Sequence, residues 1–367
     1  MALQLPDFPW DSLADAKRIA SEHPDGLIDL SVGSPVDPTP AVLREALSDA
    51  SNAHGYPQVW GTPRLREAII DWFGRIRGVP DLAERAVMPS IGSKELIAGL
   101  ALWLGLGAGD TVVIPEVAYP TYDVSARLVG SNVHTGDDPA FWPESTKLVW
   151  LNSPSNPTGR VLGISELRAA VARARELGAV LASDECYALL PWDVEQAPSV
   201  LDPRVTEGDT TGLLAVHSLS KQSSDAGYRT AFIAGDEQLV QRVVGVRKHL
   251  GLIPPAPVQS AMIAALDDDE HVAQQRERYR ARRETLLRAV REAGWSAESD
   301  AGLYIWAGNG DGAREQVRAL AGIGILVAPG DFYGDDTRVR IALTATDAAI
   351  ERAAARLRAA ARSRAAG

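Results

Sequence analysis

Apolar residues recur along this chain in two rhythms. Short apolar runs bounded by Gly, Pro, Ser or Asn fall at Leu27–Leu30, Thr111–Pro115, Lys147–Asn152, Ala179–Ser183, Leu213–Val216 and Thr230–Ala234. Such runs predict strands buried on both faces. Between them, apolar positions three and four apart predict helices. These lie near Leu13–Ser21, after Thr39, after Pro63 (Leu65, Ile69, Phe73), from Gly92 (Leu96, Leu100, Trp103), over Ser165–Leu177 and from Glu237. Strand and helix therefore alternate from about residue 85 to 235, which predicts a largely parallel sheet covered by helices on both faces.

Beyond the proline cluster Pro254-Pro255-Ala256-Pro257 the rhythm changes. A long helix over His271–Ala293 precedes three strand-like pieces, Gly302–Trp306, Ile325–Ala328 and Val339–Leu343, and a terminal Ala/Arg-rich helix follows Asp347. The expected division is an N-terminal arm over 1–32, a large domain over 33–253 and a smaller α+β domain over 254–367 that also takes in part of the arm. There is no internal repeat and no low-complexity linker. Gly105, Gly107 and Gly109 form a glycine-rich turn, but a strand follows rather than a helix, so it is not a dinucleotide fingerprint.

Composition narrows the function. At 367 residues the chain can bury a large core. A net charge of -11 argues against a nucleic-acid or anionic-membrane surface. One cysteine, Cys186, excludes an intrachain disulfide and a Cys-rich metal site; it reads as a buried small hydrophobe, and no metal is expected. The N-terminal stretch lacks a basic region before an apolar run, and no segment has eighteen uninterrupted apolar residues, so a cytoplasmic protein is expected.

The candidate chemistry gathers at strand ends, where parallel sheets bind ligands. Leu213–Val216 leads into His217-Ser218-Leu219-Ser220-Lys221, with Arg229 eight residues on. A lysine delivered there can bond an aldehyde once desolvation removes its proton, and a guanidinium can clamp a phosphate. Read alone, the stretch also admits a solvated loop lysine at 221. Ser93 and Lys94 fall in the first turn of a helix, where free amides bind anions, although Ser93 also suits an ordinary N-cap. Tyr119, just past a strand end, can stack on a planar ring. Asn156 sits in the rigid turn Ser153-Pro154-Ser155-Asn156-Pro157-Thr158-Gly159. Of the adjacent pair Asp184-Glu185, alternation lets one carboxylate face a given site; Asp184 is taken, with Tyr187 nearby. Gly33 allows close backbone approach, and Tyr56 stands in an exposed turn.

These motifs, in this order, closely resemble the fold type I, class I/II pyridoxal phosphate aminotransferases, from about Leu27 to the end. The resemblance implies an aspartate aminotransferase-like α/β fold, pyridoxal 5′-phosphate as cofactor and a homodimer. It implies that Lys221 bonds the cofactor and then moves the proton between substrate Cα and cofactor C4′, while Asp184 pairs with the ring nitrogen. Asn156 and Tyr187 would hold the phenolic oxygen, and Tyr119 would stack on the ring. Ser93, Lys94, Ser218, Arg229 and Tyr56 of the other subunit would grip the phosphate. Arg340 would take the substrate α-carboxylate beside Gly33 and Asn156, with Arg338 of the same Arg-Val-Arg strand as competitor.

Within the family the pattern looks most like N-succinyldiaminopimelate aminotransferases of lysine biosynthesis, with glutamate as donor. Gly33-Ser34-Pro35, the N-terminal arm and Tyr304 are the expected lining of the distal substrate pocket. Four alternatives stand beside that reading. A general aspartate, alanine or aromatic aminotransferase shares every motif, and so does a carbon-sulfur lyase of the same fold. An acyltransferase of the oxoamine synthase type shares the lysine. A regulator with an aminotransferase-like domain would need a DNA-binding module, for which the segment before Leu27 is short.

Overall fold

The computed structural model describes residues 5–366; residues 1–4 of the expected arm, and residue 367, lie outside the described residues. The strands in chain order are β1 (Ile28–Asp29), β2 (Val87–Ile91), β3 (Thr111–Ile114), β4 (Asn132–Thr135), β5 (Thr146–Asn152), β6 (Val180–Asp184) and β7 (Leu213–Ser218). They continue with β8 (Thr230–Gly235), β9 (Ser296–Glu298), β10 (Tyr304–Gly308), β11 (Ile325–Leu326), β12 (Ala328–Pro329) and β13 (Val339–Ala342).

Seven strands form one sheet in the order β2-β8-β7-β6-β5-β3-β4. All neighbours are parallel except at β8, which runs antiparallel to both β2 and β7. The core strands read as continuous apolar runs because both faces are covered, and every residue of β7 and β8 is buried. The helix Pro63–Arg77 shows how one covering element is specified. Pro63 opens it, the Thr62 side chain accepts from Leu65 N at 3.2 Å, and Gly78 closes it in the left-handed conformation at φ 65°. Its buried face sets Trp72 and Phe73 edge-on to Phe232 of β8, with ring centroids 5.5 and 5.9 Å apart, and Trp72 against His217 of β7 at 4.5 Å. That packing fixes from behind the two strands that flank Lys221 and Arg229.

The second body is a four-stranded antiparallel sheet, β12-β13-β10-β9, with a parallel β1–β11 pair beside it. Leu13, Ile28 and Leu30 of the N-terminal segment share one apolar core with Leu286, Ile305, Ile341 and Leu357. Arg282, on the long helix Glu270–Glu292, takes Asp37 with both terminal nitrogens at 2.6 and 2.7 Å and Asp347 through Nε at 2.6 Å. The segment beyond Gly33 is thereby tied to the C-terminal body.

Several elements go beyond what periodicity shows. The helix Thr121–Val129, absent from the elements that periodicity predicts, begins inside the Tyr119-Pro120-Thr121-Tyr122 stretch, and β4 and β9 are short strands with little apolar contrast. The helix Ala256–Asp267 starts within the proline cluster, because proline is tolerated in a first turn where no intrahelical donor is needed. Ala261, Met262, Ala265 and Leu266 of that helix pack in the large-sheet core with Leu65 and Trp72. We therefore place the passage into the small domain after Asp267 rather than at 254.

Glu185 is buried on the side of β6 away from the cleft. It accepts from Arg77 at 2.9 Å, Ser199 Oγ at 3.1 Å and Val200 N at 2.8 Å. Arg77→Met is expected to destabilise the chain by about 3–5 kcal/mol, because it leaves a buried carboxylate without its cation. Arg77→Met with Glu185→Leu should recover much of that loss, as urea unfolding midpoints with a common slope would show.

Candidate active site

The parallel strands β3, β5, β6 and β7 all point their carboxyl ends at one edge, where a cleft of about 250 Å³ opens. Ser93, Lys94, Tyr119, Asn156, Asp184, Tyr187, Ser218, Lys221, Arg229 and Arg340 all border it, and so does Gly33. β8 is the exception that completes the set. It runs the other way, so its start, and with it the preceding Arg229, lies at this same edge.

Asp184 ends β6 and is buried. Its carboxylate accepts from Tyr122 Oη at 2.8 Å and from Cys186 N at 3.1 Å. Burial pushes its pKa up, and those hydrogen bonds oppose the shift only in part. A cationic group set against it would therefore be strongly favoured.

Lys221 follows β7, and its Nζ donates to the Gly33 carbonyl. Burial pushes the amine toward its neutral form. The loop around it is fastened on both sides. Ser218 Oγ lies 3.1 Å from the Thr230 carbonyl and accepts from Ser220 N at 3.2 Å; Tyr279 Oη donates to the Lys221 carbonyl at 3.2 Å. His217 lies 3.1 Å from the Glu185 carbonyl and 2.8 Å from Gln222 Oε1. Burial drives the pKa of this imidazole down to about 4.

The helix Gly92–Trp103 begins without a side-chain cap, with Ile91 rather than Ser93 at the N-cap position, and the next two residues after Gly92, Ser93 and Lys94, border the cleft with first-turn amides that have no intrahelical acceptor. Gly92 has φ 72°, and the Arg229 guanidinium occupies the space a Cβ would need. Arg229 is itself left-handed at φ 62°, a conformation that costs a non-glycine residue energy, and its carbonyl accepts from Gly92 N at 2.9 Å. Free amides and a guanidinium at one helix start suit a phosphate.

The far wall comes from the second body. Arg340 on β13 is 2 % exposed. Its guanidinium donates to Asn156 Oδ1 at 2.9 Å and to the Ser31 carbonyl at 2.7 Å. Three rings surround it, Tyr304 at 4.0 Å, Tyr333 at 5.0 Å and Trp10 at 5.7 Å from their centroids. Asn156 is positioned by Asn152, whose Oδ1 accepts from Asn156 N at 2.8 Å while its Nδ2 donates to the Asp184 carbonyl at 3.0 Å. An amine, a buried carboxylate, an anion cradle and a carboxylate clamp thus surround one small cleft. Such a set can hold a phosphorylated ring at one end and an amino acid at the other.

The pattern of aminotransferases of class I and II matches residues 25–357. The chain belongs to that family. It is 56 % identical to the probable aminotransferase Rv1178 of Mycobacterium tuberculosis over 361 residues, covering 97 % of this chain and 86 % of that one. It is 53 % identical to the 4-dedimethylamino-4-oxo-anhydrotetracycline transaminase OxyQ of Streptomyces rimosus, covering 96 % and 99 %. An LL-diaminopimelate aminotransferase of Dehalococcoides mccartyi is 31 % identical, with 95 % of both chains covered. Among solved structures, an aminotransferase of Neisseria meningitidis superposes with a TM-score of 0.88 at 29 % identity, over 97 % of this chain and 98 % of that one. The cofactor of this class I/II aminotransferase is pyridoxal 5′-phosphate, and the residues of the cleft fit it: the open amides beside Arg229 match the phosphate and Asp184 matches a protonated ring nitrogen.

The aminotransferase places the other residues named from the sequence as follows. Tyr304 borders the same cleft as Gly33 and Arg340, with its Oη 3.0 Å from Tyr187 Oη. Lys94 turns its ammonium over the Phe8 ring, 5.2 Å from the centroid, and burial followed by the nearby Arg229 lowers its pKa. Arg338 pairs with Glu298 at 3.0 Å, away from the cleft that holds Arg340. Tyr56 is fully exposed and does not border the cleft of its own chain. Tyr122, Trp10 and Tyr333 gain site roles that the sequence reading leaves unassigned. Tyr122 was accessible in principle, since it stands three residues after Tyr119 and so shares its side of a helical turn.

Asp225 lies four residues after Lys221, accepts from Thr230 Oγ1 at 2.6 Å and is pushed up to about 6 by burial. Its folded-state pKa exceeds the unfolded one, so the protonated form favours folding below about pH 4 and that contribution is lost as pH rises toward 6. Asp225→Asn should therefore gain stability relative to wild type by roughly 2–3 kcal/mol between pH 4 and pH 6.5. Urea titrations of both cofactor-free proteins across that range would check it.

Proposed function

We propose that this aminotransferase moves the amino group between glutamate and N-succinyl-2-amino-6-oxopimelate, a step of diaminopimelate and lysine biosynthesis. The observation that carries the reading is Arg340, a buried guanidinium bordering the same small cleft as Lys221. A clamp of that kind suits the α-carboxylate common to a glutamate donor and a 2-oxo acid acceptor. Beyond Lys94 and Tyr119 the cleft adjoins a chamber of about 1360 Å³ beneath the N-terminal arm, with room for a long acceptor side chain. Likeness to LL-diaminopimelate aminotransferases at 31 % identity supports the same direction.

In this reading Lys221 binds the cofactor aldehyde and carries the proton at Nζ to and from substrate Cα. Asp184 holds a proton on the ring nitrogen. Bound pyridoxal phosphate supplies the ring that draws electrons from Cα. Asn156 and Tyr187 hold the phenolic oxygen, and Tyr119 covers the ring face. The Ser93 and Lys94 amides, the Ser218 hydroxyl and Arg229 hold the phosphate, completed by Tyr56 of a partner subunit. The working unit is then a homodimer acting in the cytoplasm.

A second reading rests on the 53 % identity to OxyQ, whose name specifies an oxo group on an anhydrotetracycline. For such a ketone the chamber, rather than Arg340, would carry acceptor recognition. General aspartate, alanine or aromatic aminotransfer uses the same machinery on a different substrate, whereas carbon-sulfur cleavage shares the cofactor set but releases ammonia and a keto acid without an acceptor.

Specificity constants measured side by side distinguish these. The succinylated acceptor should exceed aspartate-, alanine- and aromatic-derived keto acids and a fused-ring ketone by at least about tenfold, about 1.4 kcal/mol. A smaller advantage leaves the plain aminotransferase reading. Lys221→Ala should lose more than the ~10²- to 10⁴-fold typical of one general base while keeping a wild-type circular dichroism spectrum. Co-refolding Lys221→Ala with Tyr56→Phe should restore part of the activity if Tyr56 completes the partner's site.

A further inference from the structure

Tyr304 is 3 % exposed and touches three groups of the site at once. It lies on β10, whose antiparallel pairing with β13 sets Tyr304 opposite Ala342 and Trp306 opposite Arg340. Tyr304 and Arg340 are then diagonal neighbours on one face, so the ring lies under the guanidinium at 4.0 Å. Its hydroxyl lies 3.0 Å from that of Tyr187, the two rings standing edge to face with centroids 5.7 Å apart. The same hydroxyl fills the space that any side chain at Gly33 would need, and the Gly33 carbonyl accepts from Lys221. Tyr304 belongs to the small body and Tyr187 to the large one, so this contact crosses between them.

A phenol has one proton to give. If Tyr187 donated to Tyr304, its proton would point away from the cleft and it could offer the cofactor oxygen nothing but lone pairs. If Tyr304 donates, Tyr187 is free to donate in turn. The cation over the Tyr304 ring withdraws electron density from it and makes its hydroxyl the better donor of the pair. Successive donors in a poorly solvated cleft reinforce one another.

We propose that Tyr304 is a positioning residue that aims the hydroxyl proton of Tyr187 at the phenolic oxygen of the cofactor, and that its ring holds Arg340 flat for the substrate carboxylate. The inference rests on the assignment of Tyr187 made above. It makes Tyr304 the piece through which the carboxylate clamp and the cofactor's oxygen contacts are set together.

Two variants separate the hydroxyl from the ring. Tyr304→Phe keeps the ring under Arg340; Tyr304→Leu removes both. The first readout is the pH midpoint of the visible absorbance change of the cofactor-loaded protein. With a weakened donor, more negative charge stays on the phenolic oxygen and holds the neighbouring proton more tightly, so the midpoint should rise in Tyr304→Phe by about half a unit or more, the size of one modest hydrogen bond. The second readout is the split of constants for glutamate. Tyr304→Phe should lower kcat about five- to tenfold at nearly unchanged KM, and Tyr304→Leu should in addition raise KM about tenfold. A midpoint unmoved in Tyr304→Phe but raised in Tyr187→Phe overturns the role of Tyr304 alone. A midpoint unmoved in both overturns the Tyr187 assignment and this inference with it.

Discussion

A carboxylate held in the interior by neutral donors is the constraint from which the site is built. Asp184 is kept in place by Tyr122 and the Cys186 amide, and its own carbonyl is held by Asn152. Asn152 also holds the amide of Asn156, Asn156 accepts from Arg340, and Arg340 reaches the Ser31 carbonyl. One hydrogen-bonded line therefore runs from the middle of the large sheet to the small body. In a poorly solvated interior each broken link would leave a buried polar group without a partner, so the line is held as a unit.

Sheet topology supplies the other half of the geometry. Parallel strands collect their ends at one edge, and this brings Asn156, Asp184 and Lys221 together from segments far apart in sequence. The phosphate cradle needs something more. Only because β8 reverses direction between β7 and β2 does Arg229 meet the uncapped start of the helix at Gly92. The left-handed backbone at Arg229 is the local strain that this meeting requires.

Much of this was legible in the residues alone. Apolar runs closed by turn formers marked the core strands, and alternation meant that one of Asp184 and Glu185 faces the cleft; the structure turns Glu185 away from it toward Arg77. The helices Thr121–Val129 and Ala256–Asp267 were not legible, because proline at or before a first turn reads as a break when only local pattern is available. Tyr304 carried no local signal for its place either. Its neighbours in the site come from residues 33, 187 and 340, and only strand register and the docking of two bodies put them side by side.

The sequence by itself determined the alternating large domain, the order of the site motifs and the residue types able to bond an aldehyde, clamp an anion and hold a proton. These follow from periodicity and side-chain chemistry, which are properties of short stretches. Tertiary structure decided that Arg340 rather than Arg338 faces the cleft, that Lys94 turns toward Phe8, and that Tyr304 bridges Arg340 and Tyr187. Each of those choices depends on which groups from distant segments share a buried volume, and packing together with hydrogen-bond satisfaction settles that only once the whole chain has folded.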